Sequence, residues 1–495
     1  WTSPSVRADE TLQIAASLAK HSLHPLSRAL VAGYEAGAKV QWLEVANLQE
    51  VVGQGLEGEL NERFRLGSLA FTQAENKGLP KEAAICQVHL CSDTQWLASW
   101  HLSEDMRADA VDTVQALKDM GAEVIINPSA SPFNLGKQSL RNRVFGGQAS
   151  RFDLPVLYVN QVGTHTELMF DGSSRAINGN GEVVLQAPSF EESVSYATFE
   201  NGKFAMGDSV PLETDDTAQL YKALVFGIRD YFKKMGFQHA VLGSSGGIDS
   251  AVVQALATEA LGAENVHPVL MPSMYSTEHS VTDAESLSKN LGNQTLTIPI
   301  KNIYDTYLDA LKPAFEDRPF NLAEENLQAR SRAVLLMAIS NKLGYILINT
   351  SNKSELSVGY STLYGDLCGA LSPLGDVYKN QVYALARFIN RRGEIIPNHI
   401  IQKAPSAELR PGQKDADSLP AYDVLDELLK HYIEEQKGVD ELITMGYDQT
   451  TVYKIIDLVN ASEYKRYQAP PILRVSSKSF GKGRIMPLVA NYSSK

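Results

Sequence analysis

The residues best equipped for chemistry are Gly243-Ser244-Ser245-Gly246-Gly247-Ile248-Asp249-Ser250. Glycines let backbone N–H groups approach an oxyanion closely, the serine hydroxyls add donors, and the first N–H groups of a following helix have no internal partners. Asp249 is a poor neighbour for phosphate unless a divalent cation stands between them, so the loop should bind phosphate with Mg²⁺. Glu355 offers a second carboxylate, and the pair Asp249 and Glu355 is the candidate Mg²⁺ site.

Such a loop works only if a strand delivers it and a helix starts behind it. The apolar run Ala240-Val241-Leu242 precedes it, and Ala251 to Leu261 has the composition of a helix. There is no Gly-Lys-Ser/Thr of the Walker form and no G-x-G-x-x-G here. Thr214 to Lys234 reads as an amphipathic helix leading in. Beyond the loop, strand-like and helix-like segments alternate to the end of the chain: strands at Val266 to Met271, Gln294 to Ile298 and Tyr345 to Asn349, helices at Thr277 to Leu291 and Asn326 to Leu343. That alternation predicts an α/β doubly wound parallel sheet, with the loops after Leu242, Met271 and Asn349 facing one crevice at the carboxyl ends of the strands.

The chain has 495 residues, 44% hydrophobic and 21% charged, enough for two to four domains with a sizeable core. Its net charge of −13 argues against nucleic acid or an anionic membrane as the main partner, so an anionic substrate must meet a local basic pocket. Three cysteines, Cys86, Cys91 and Cys368, have no metal-type spacing and suit a reducing, cytoplasmic setting. No apolar run approaches a membrane span and no signal peptide is evident; a start at Trp1 suggests a fragment.

S-G-G-x-D-S resembles the pyrophosphatase loop of enzymes that cleave ATP between its α and β phosphates. Seven segments follow one another: this loop, Glu324 to Arg330, Asn349 to Leu356, Gly359 to Asp366, Pro373 to Lys379, Lys403 to Leu409 and Glu463 to Gln468. In that order they resemble NAD synthetase of the glutamine-dependent class over residues 215–495. The resemblance implies ATP-dependent amidation of deamido-NAD through an adenylate, with AMP and pyrophosphate released. It places Gly243, Ser244, Ser245, Gly246, Gly247, Ile248, Asp249, Ser250, Thr350, Lys379 and Ser406 on ATP. Asn326, Arg330, Glu355, Tyr360, Ser361, Thr362, Leu363 and Lys465 fall on deamido-NAD. It also implies a homodimer or higher homo-oligomer. Met274, where many relatives carry a basic residue, and Ser244, in place of an apolar one, depart from the pattern. The run G-Y-S-T-L-Y-G-D argues against a GMP synthetase-like amidotransferase.

Asn127-Pro128-Ser129-Ala130-Ser131-Pro132-Phe133, with Gly136-Lys137 and Phe170-Asp171-Gly172-Ser173-Ser174, resembles the last part of a nitrilase-type glutaminase domain, over about 121–205. The Glu, Lys and Cys with which that family hydrolyses glutamine lie before this stretch. Ser131 and Lys137 match glutamine-holding positions and read as remnants, and Thr164-His165 stands where the family has two glycines. Ammonia is therefore the expected nitrogen donor. Cys91-Ser92-Asp93-Thr94-Gln95-Trp96 has a superficial likeness to the nucleophile segment, but a thiol without a base is an ordinary half-buried cysteine.

Residues 1–120 form a small α/β unit with helices at Glu10 to Lys20 and Leu26 to Ala36 and strands at Val40 to Leu48, Gly58 to Leu66 and within Ala84 to His101. His24-Pro25-Leu26-Ser27, Gly53 to Gly58, Leu66-Gly67-Ser68 and Ser103 to Ala110 resemble the nucleotide-binding domain of heavy-metal P-type ATPases. The D-K-T-G-T phosphorylation motif is missing, so no pump is expected. The alternative function is a nucleotide-binding fragment of such a transporter fused to an inactive amidotransferase. His24 taken alone is a helix-start residue. Residues from Phe199 to about Pro211 are polar and aperiodic, and 206–214 is the expected linker to the synthetase part.

Overall fold

The computed structural model describes the chain except residues 5, 21, 23, 38–39, 52–53, 81–82, 84–87, 101–107 and 490–495. Gly53, Cys86, the start of the expected Ala84 to His101 region and Ser103 to Arg107 thus lie outside the described residues. Two compact units divide at Ala116/Leu117. Among the described residues, no helix is long and apolar enough to cross a membrane.

In the first unit, five antiparallel strands meander in chain order: Ala46–Val51, Gly55–Glu59, Arg63–Gly67, Val88–Ser92 and Trp96–Trp100. Helices Ala8–Ala19 and Pro25–Glu35 contribute Ile14, Leu18 and Leu30 to a core shared with Leu56, Phe64, Leu66 and Leu90. Two expectations change. The strand expected at Val40 to Leu48 runs from Ala46 to Val51, because its bounds follow pairing with Gly55–Glu59 rather than side-chain alternation. Gly58 to Leu66 is a hairpin, not one strand, turning where Leu60 N–H donates to the Glu62 carbonyl. His24 caps the second helix, its Nδ1 accepting from Leu26 N–H at 3.3 Å. Gly67 is there for contact: a Cβ would sit 2.3 Å from the Gln54 carbonyl oxygen. Cys91 is fully buried, and burial raises its thiol pKa.

The second unit begins with a four-stranded sheet in the order Val183–Gln186, Arg175–Ile177, Val156–Asn160, Ile125–Ser129, backed by helix Lys137–Phe152. Helix Asp216–Met235 starts at Asp215, whose carboxylate accepts from Thr217 N–H at 2.8 Å, a cap worth about 1 kcal/mol. Thr164, at the departure from the nitrilase pattern, binds this helix: its N–H and hydroxyl both donate to Asp230, at 2.5 and 2.6 Å. The aperiodic stretch after Phe199 is not wholly linker. Phe199–Glu200 pairs with Lys203–Phe204, and Phe204 is buried against Leu185 and Val184.

The parallel sheet has four strands in the order Leu296–Thr297, Val266–Leu270, Ala240–Gly243, Ile346–Leu347. Side chains of a strand alternate between faces, and the core shows it. Ala240 and Leu242 pack with Leu224, Ile228, Val252 and Leu256, whereas Val241 packs with Val269, Ile300, Leu336 and Leu347. Helices therefore cover both faces, as a doubly wound fold requires. The expected alternation to the chain end stops at Asn349. The later residues form helices around a separate apolar cluster that includes Val358, Tyr378, Leu425, Leu429 and Ile456. Helix Lys301–Phe315 is a further element that the sequence pattern did not announce.

Candidate active site

From Ala240–Gly243 the chain builds outward on one side to Val266–Leu270 and Leu296–Thr297, then crosses back to place Ile346–Leu347 on the other. The order reverses between Ala240–Gly243 and Ile346–Leu347, and crevices in such sheets open at that point, beyond the carboxyl ends of the strands. The loop carrying Asp249 and the loop carrying Asn352 and Glu355 flank it.

Lys379 joins the two loops. Its Nζ lies 2.6 Å from Asp249 Oδ2 and 3.3 Å from Glu355 Oε1, with its own side chain only 3% exposed. Asn352 Nδ2 donates to Asp249 Oδ1 at 2.8 Å, and Asn352 Oδ1 accepts from Glu355 N–H at 3.0 Å as the cap of helix Lys353–Val358. Burial is the main force pushing the Glu355 carboxyl up to about 8; Lys379 opposes this and Asp249 adds to it. Both carboxylates hold the Lys379 ammonium charged, its pKa raised against the effect of burial.

Helix Ile248–Leu261 opens at Gly247, which the Ser245 hydroxyl reaches from the preceding turn. Ser250 Oγ donates to the Gly247 carbonyl at 3.0 Å, and Ser245 Oγ lies 3.1 Å from Ser250 Oγ. Gly246 has φ 73°, and a Cβ there would lie 2.1 Å from the Ser280 carbonyl oxygen. The departure at Ser244 is absorbed by a buried network: Ser244 Oγ donates to Gln254 Oε1 at 3.0 Å, and Gln254 Nε2 donates to Ser288 and Asn293. Met274 is 38% exposed, in the turn after strand Val266–Leu270.

A second group lies along helix Leu322–Leu343 and the loop 359–366. Thr362 Oγ1 donates to Asn326 Oδ1 at 2.8 Å, and Arg330 Nε donates to the Leu363 carbonyl at 3.2 Å. Lys465 Nζ donates to the Gly359 and Ser361 carbonyls, both at 2.7 Å. Tyr360 sits by Asp415, whose carboxylate also accepts from Tyr422 OH at 2.9 Å. The Ser361 hydroxyl is buried and has no hydrogen-bond partner among the described residues. Asn326, Arg330, Ser361, Thr362, Leu363 and Lys465 thus come together.

Thr350 stands half-buried after the last strand. Ser406 is exposed on a loop and turns inward on itself, Oγ donating to the Gln413 carbonyl at 2.6 Å. That loop is pinned by Glu408, which accepts from Ser280 Oγ at 2.6 Å and Thr277 Oγ1 at 3.1 Å. Ser131 and Lys137 are far along the chain in the other sheet's environment. Ser131 N–H donates to Asn160 Oδ1 at 2.8 Å, and burial, then Arg141, lower the Lys137 pKa.

Sequence reasoning missed Asn352, Asp415, Asp426 and Arg332. Arg332 Nε donates to the Met271 carbonyl at 3.0 Å, and burial pulls its guanidinium down to about 10. Asn352 lies within the segment Asn349 to Leu356, and its place three residues before Glu355 is the signal of a helix cap. For a divalent cation, Asp249 and Glu355 are the hard carboxylates at hand, and in this structure both face the Lys379 ammonium. No group of three ligating side chains occurs among the described residues, so phosphate oxygens and waters would complete the coordination.

A parallel sheet with this loop at its switch point defines an ATP-pyrophosphatase-type α/β enzyme. Residues 220–469 match the NAD synthase family model, and 111–203 match the carbon-nitrogen hydrolase model. A glutamine-dependent NAD(+) synthetase of Synechocystis sp. is 49% identical over 380 residues, covering 76% of this chain and 68% of that protein. Another of the same name, from Rhodobacter capsulatus, is 40% identical over 445 residues, covering 88% and 75%. The solved glutamine-dependent NAD+ synthetase of Acinetobacter baumannii, in complex with ADP, superposes with a TM-score of 0.58 at 33% identity over 94% of this chain and 88% of that one. The chain belongs to the glutamine-dependent NAD synthetase family, a family of ligases. These findings lend no support to the ATPase-domain resemblance of residues 1–120.

Proposed function

We propose that the chain converts deamido-NAD to NAD at the expense of ATP and takes free ammonia as its direct nitrogen donor. The observation that carries this reading is the convergence of Asp249 and Glu355 on the Lys379 ammonium at the switch point of the sheet. The nicotinate carboxylate oxygen attacks the α-phosphorus of ATP, the bond from that phosphorus to the bridging oxygen breaks, and pyrophosphate leaves with the electron pair. Ammonia then adds to the acyl carbon, the acyl C–O bond breaks, AMP leaves with its electrons, and the nitrogen sheds its proton to solvent. Attacker and target are both anionic, so charge neutralisation is the main catalytic requirement.

The chain's own groups answer that requirement. The loop would offer its Ser245 to Ser250 side to the phosphates, since Ser244 gives its N–H to the Val269 carbonyl and its hydroxyl to Gln254; Lys379 is the fixed cation and Thr350 a further hydroxyl along ATP, whereas the Ser406 hydroxyl is held by the Gln413 carbonyl. Asp249 and Glu355 would hold Mg²⁺, which supplies further neutralisation between phosphates when bound. Asn326, Arg330, Tyr360, Ser361, Thr362, Leu363 and Lys465, with Glu355, orient deamido-NAD. The same reading divides the chain into 1–120, a glutaminase remnant at 121–205 that retains Ser131 and Lys137 without hydrolysing glutamine, a linker at 206–214 and the synthetase part at 215–495. It also makes the protein a homodimer or higher homo-oligomer, supported by exposed Leu322, Val334, Met337 and Leu343 on one helix.

The test is NAD formation from deamido-NAD, ATP and Mg²⁺ with ammonium or with glutamine. Turnover with ammonium alone is expected. Equal turnover with glutamine would overturn the donor assignment, and no NAD with either would overturn the reaction. Sedimentation at micromolar concentration checks the oligomeric state.

A further inference from the structure

Glu355 and Lys379 sit on different helices, Lys353–Val358 and Lys379–Ile389, 24 residues apart in the chain. Their relative placement must be set by something that holds both helix starts at once. One buried carboxylate does so. Asp426, 5% exposed on helix Tyr422–Ile433, accepts from the Ser354 hydroxyl with Oδ1 and from Asn380 N–H with Oδ2, the latter at 2.7 Å. The Ser354 hydroxyl in turn accepts from Lys379 N–H at 2.9 Å.

These bonds close a ring. Lys379 directly precedes Asn380 and Ser354 directly precedes Glu355, so each tie falls on, or next to, a group that faces the crevice. Lys379 and Asn380 are the first two residues of their helix, whose N–H groups have no partner within it. A carboxylate there satisfies one of them directly and the other through serine, and it complements the positive end of the helix dipole. Asn380 Nδ2 donates back to the Tyr422 carbonyl at 3.2 Å, fixing the third helix to the same ring. The Asp426 carboxylate is thus spent on Ser354 and Asn380, behind the crevice rather than in it.

We propose that Asp426 is a positioning residue that sets the separation of Glu355 and Lys379, and so the binding of Mg²⁺-ATP, without contacting either side-chain charge. The inference rests on the reaction proposed above. Asp426→Asn keeps the shape of the side chain but removes its charge and sets an amide N–H toward the Ser354 hydroxyl, which must then turn from donor to acceptor. Ser354→Ala removes the other arm of the ring with a smaller change in the core.

The experiment measures three things for the wild type and both variants: turnover with ammonium, affinity for Mg²⁺ with a non-hydrolysable ATP analogue by calorimetry, and the thermal midpoint. Both variants should lose about tenfold to a hundredfold in kcat, the loss expected of a catalytic group displaced by a fraction of an ångström to an ångström. Analogue affinity should fall by about fivefold or more in the presence of Mg²⁺, and KM for deamido-NAD should rise by a smaller factor, since of the residues assigned to that substrate the ring positions only Glu355. The double variant should be no worse than the poorer single one, because both break the same ring. A folded Asp426→Asn or Ser354→Ala protein with wild-type kcat and analogue affinity overturns the role of Asp426. So does a loss that only tracks the thermal midpoint. If Asp426→Asn does not fold, Ser354→Ala decides. A wild type that binds the analogue but forms no NAD overturns the reaction instead, while the calorimetry still judges Asp426.

Discussion

Asp249 and Lys379 are 130 residues apart in sequence and 2.6 Å apart in space, the closest of the contacts that join the glycine loop to the far side of the crevice. Asp249 is also held by Asn352, so its carboxylate direction is fixed before any ligand arrives. Preorganised charge of this kind acts without reorganisation during the reaction.

Asp249→Ala removes a partner of Lys379 and one of the two carboxylates proposed to hold Mg²⁺. NAD formation should fall by about 10²–10³-fold or more at saturating ATP. Steady-state kinetics over a range of Mg²⁺ concentration checks this, and activity within tenfold of wild type would remove Asp249 from the metal site.

Gly246→Ala should disable the loop. The residue has φ 73°, and the added methyl would fall 2.1 Å from the Ser280 carbonyl oxygen, which belongs to the helix start that also carries Glu408's partner. Left-handed backbone alone costs a non-glycine residue about 1–3 kcal/mol, and the contact forces a shift of the loop or of residue 280. Nucleotide-analogue affinity should drop at least tenfold, about 1.4 kcal/mol. Unchanged affinity would show that the loop does not cradle the phosphates.

Asp249, Glu355 and Lys379 were legible in the sequence because each lies in a short motif at the end of a strand or the start of a helix, where α/β sheets gather ligands. Asp426 was not, since its partner Ser354 is 72 residues away and only the packing of helix Tyr422–Ile433 brings them together. In the first unit, local motifs misled for a related reason. His24 and Gly67 fit a nucleotide-binding pattern by spacing, yet one caps a helix and the other makes room for a neighbouring carbonyl. The sheet's extent was overread because helices after Asn349 carry apolar runs that bury against one another, and a short apolar run does not by itself distinguish strand from helix.

Lys353→Met tests how firmly the crevice is backed. Lys353 is fully buried, with Nζ 3.0 Å from Asp376 and 2.9 Å from Glu434, and it also donates to Ser476 Oγ and the Lys478 carbonyl. Removing the cation leaves two carboxylates facing each other with little water, a loss of about 3–5 kcal/mol. Urea denaturation should show this as a lower midpoint at unchanged slope. A change under about 1 kcal/mol would mean that the carboxylates find other partners. Asp376 also accepts from the Val475 and Ser476 N–H groups, both at 2.8 Å, and Glu434 from Ser477 Oγ at 2.7 Å, so both carboxylates keep donors when the ammonium is removed.

At the opposite end of the sheet, His267 stacks on Tyr345, with ring centroids 4.2 Å apart, and its Nε2 lies 3.3 Å from His239 Nδ1. Burial, then the neighbouring His239, lowers the His267 pKa. The unfolded chain therefore binds more protons than the folded one wherever pH lies between the folded value and the ordinary value of about 6.5. Stability gained from this site is complete above that ordinary value and is lost as pH falls through it. The thermal midpoint of the wild type should decline from about pH 7 to about pH 5, and His267→Gln should decline less steeply over the same range. Because the other histidines and carboxylates titrate in both proteins, the difference between the two curves reports His267 together with its coupling to His239. Parallel curves would show that the stacked ring keeps its proton equilibrium unchanged on folding.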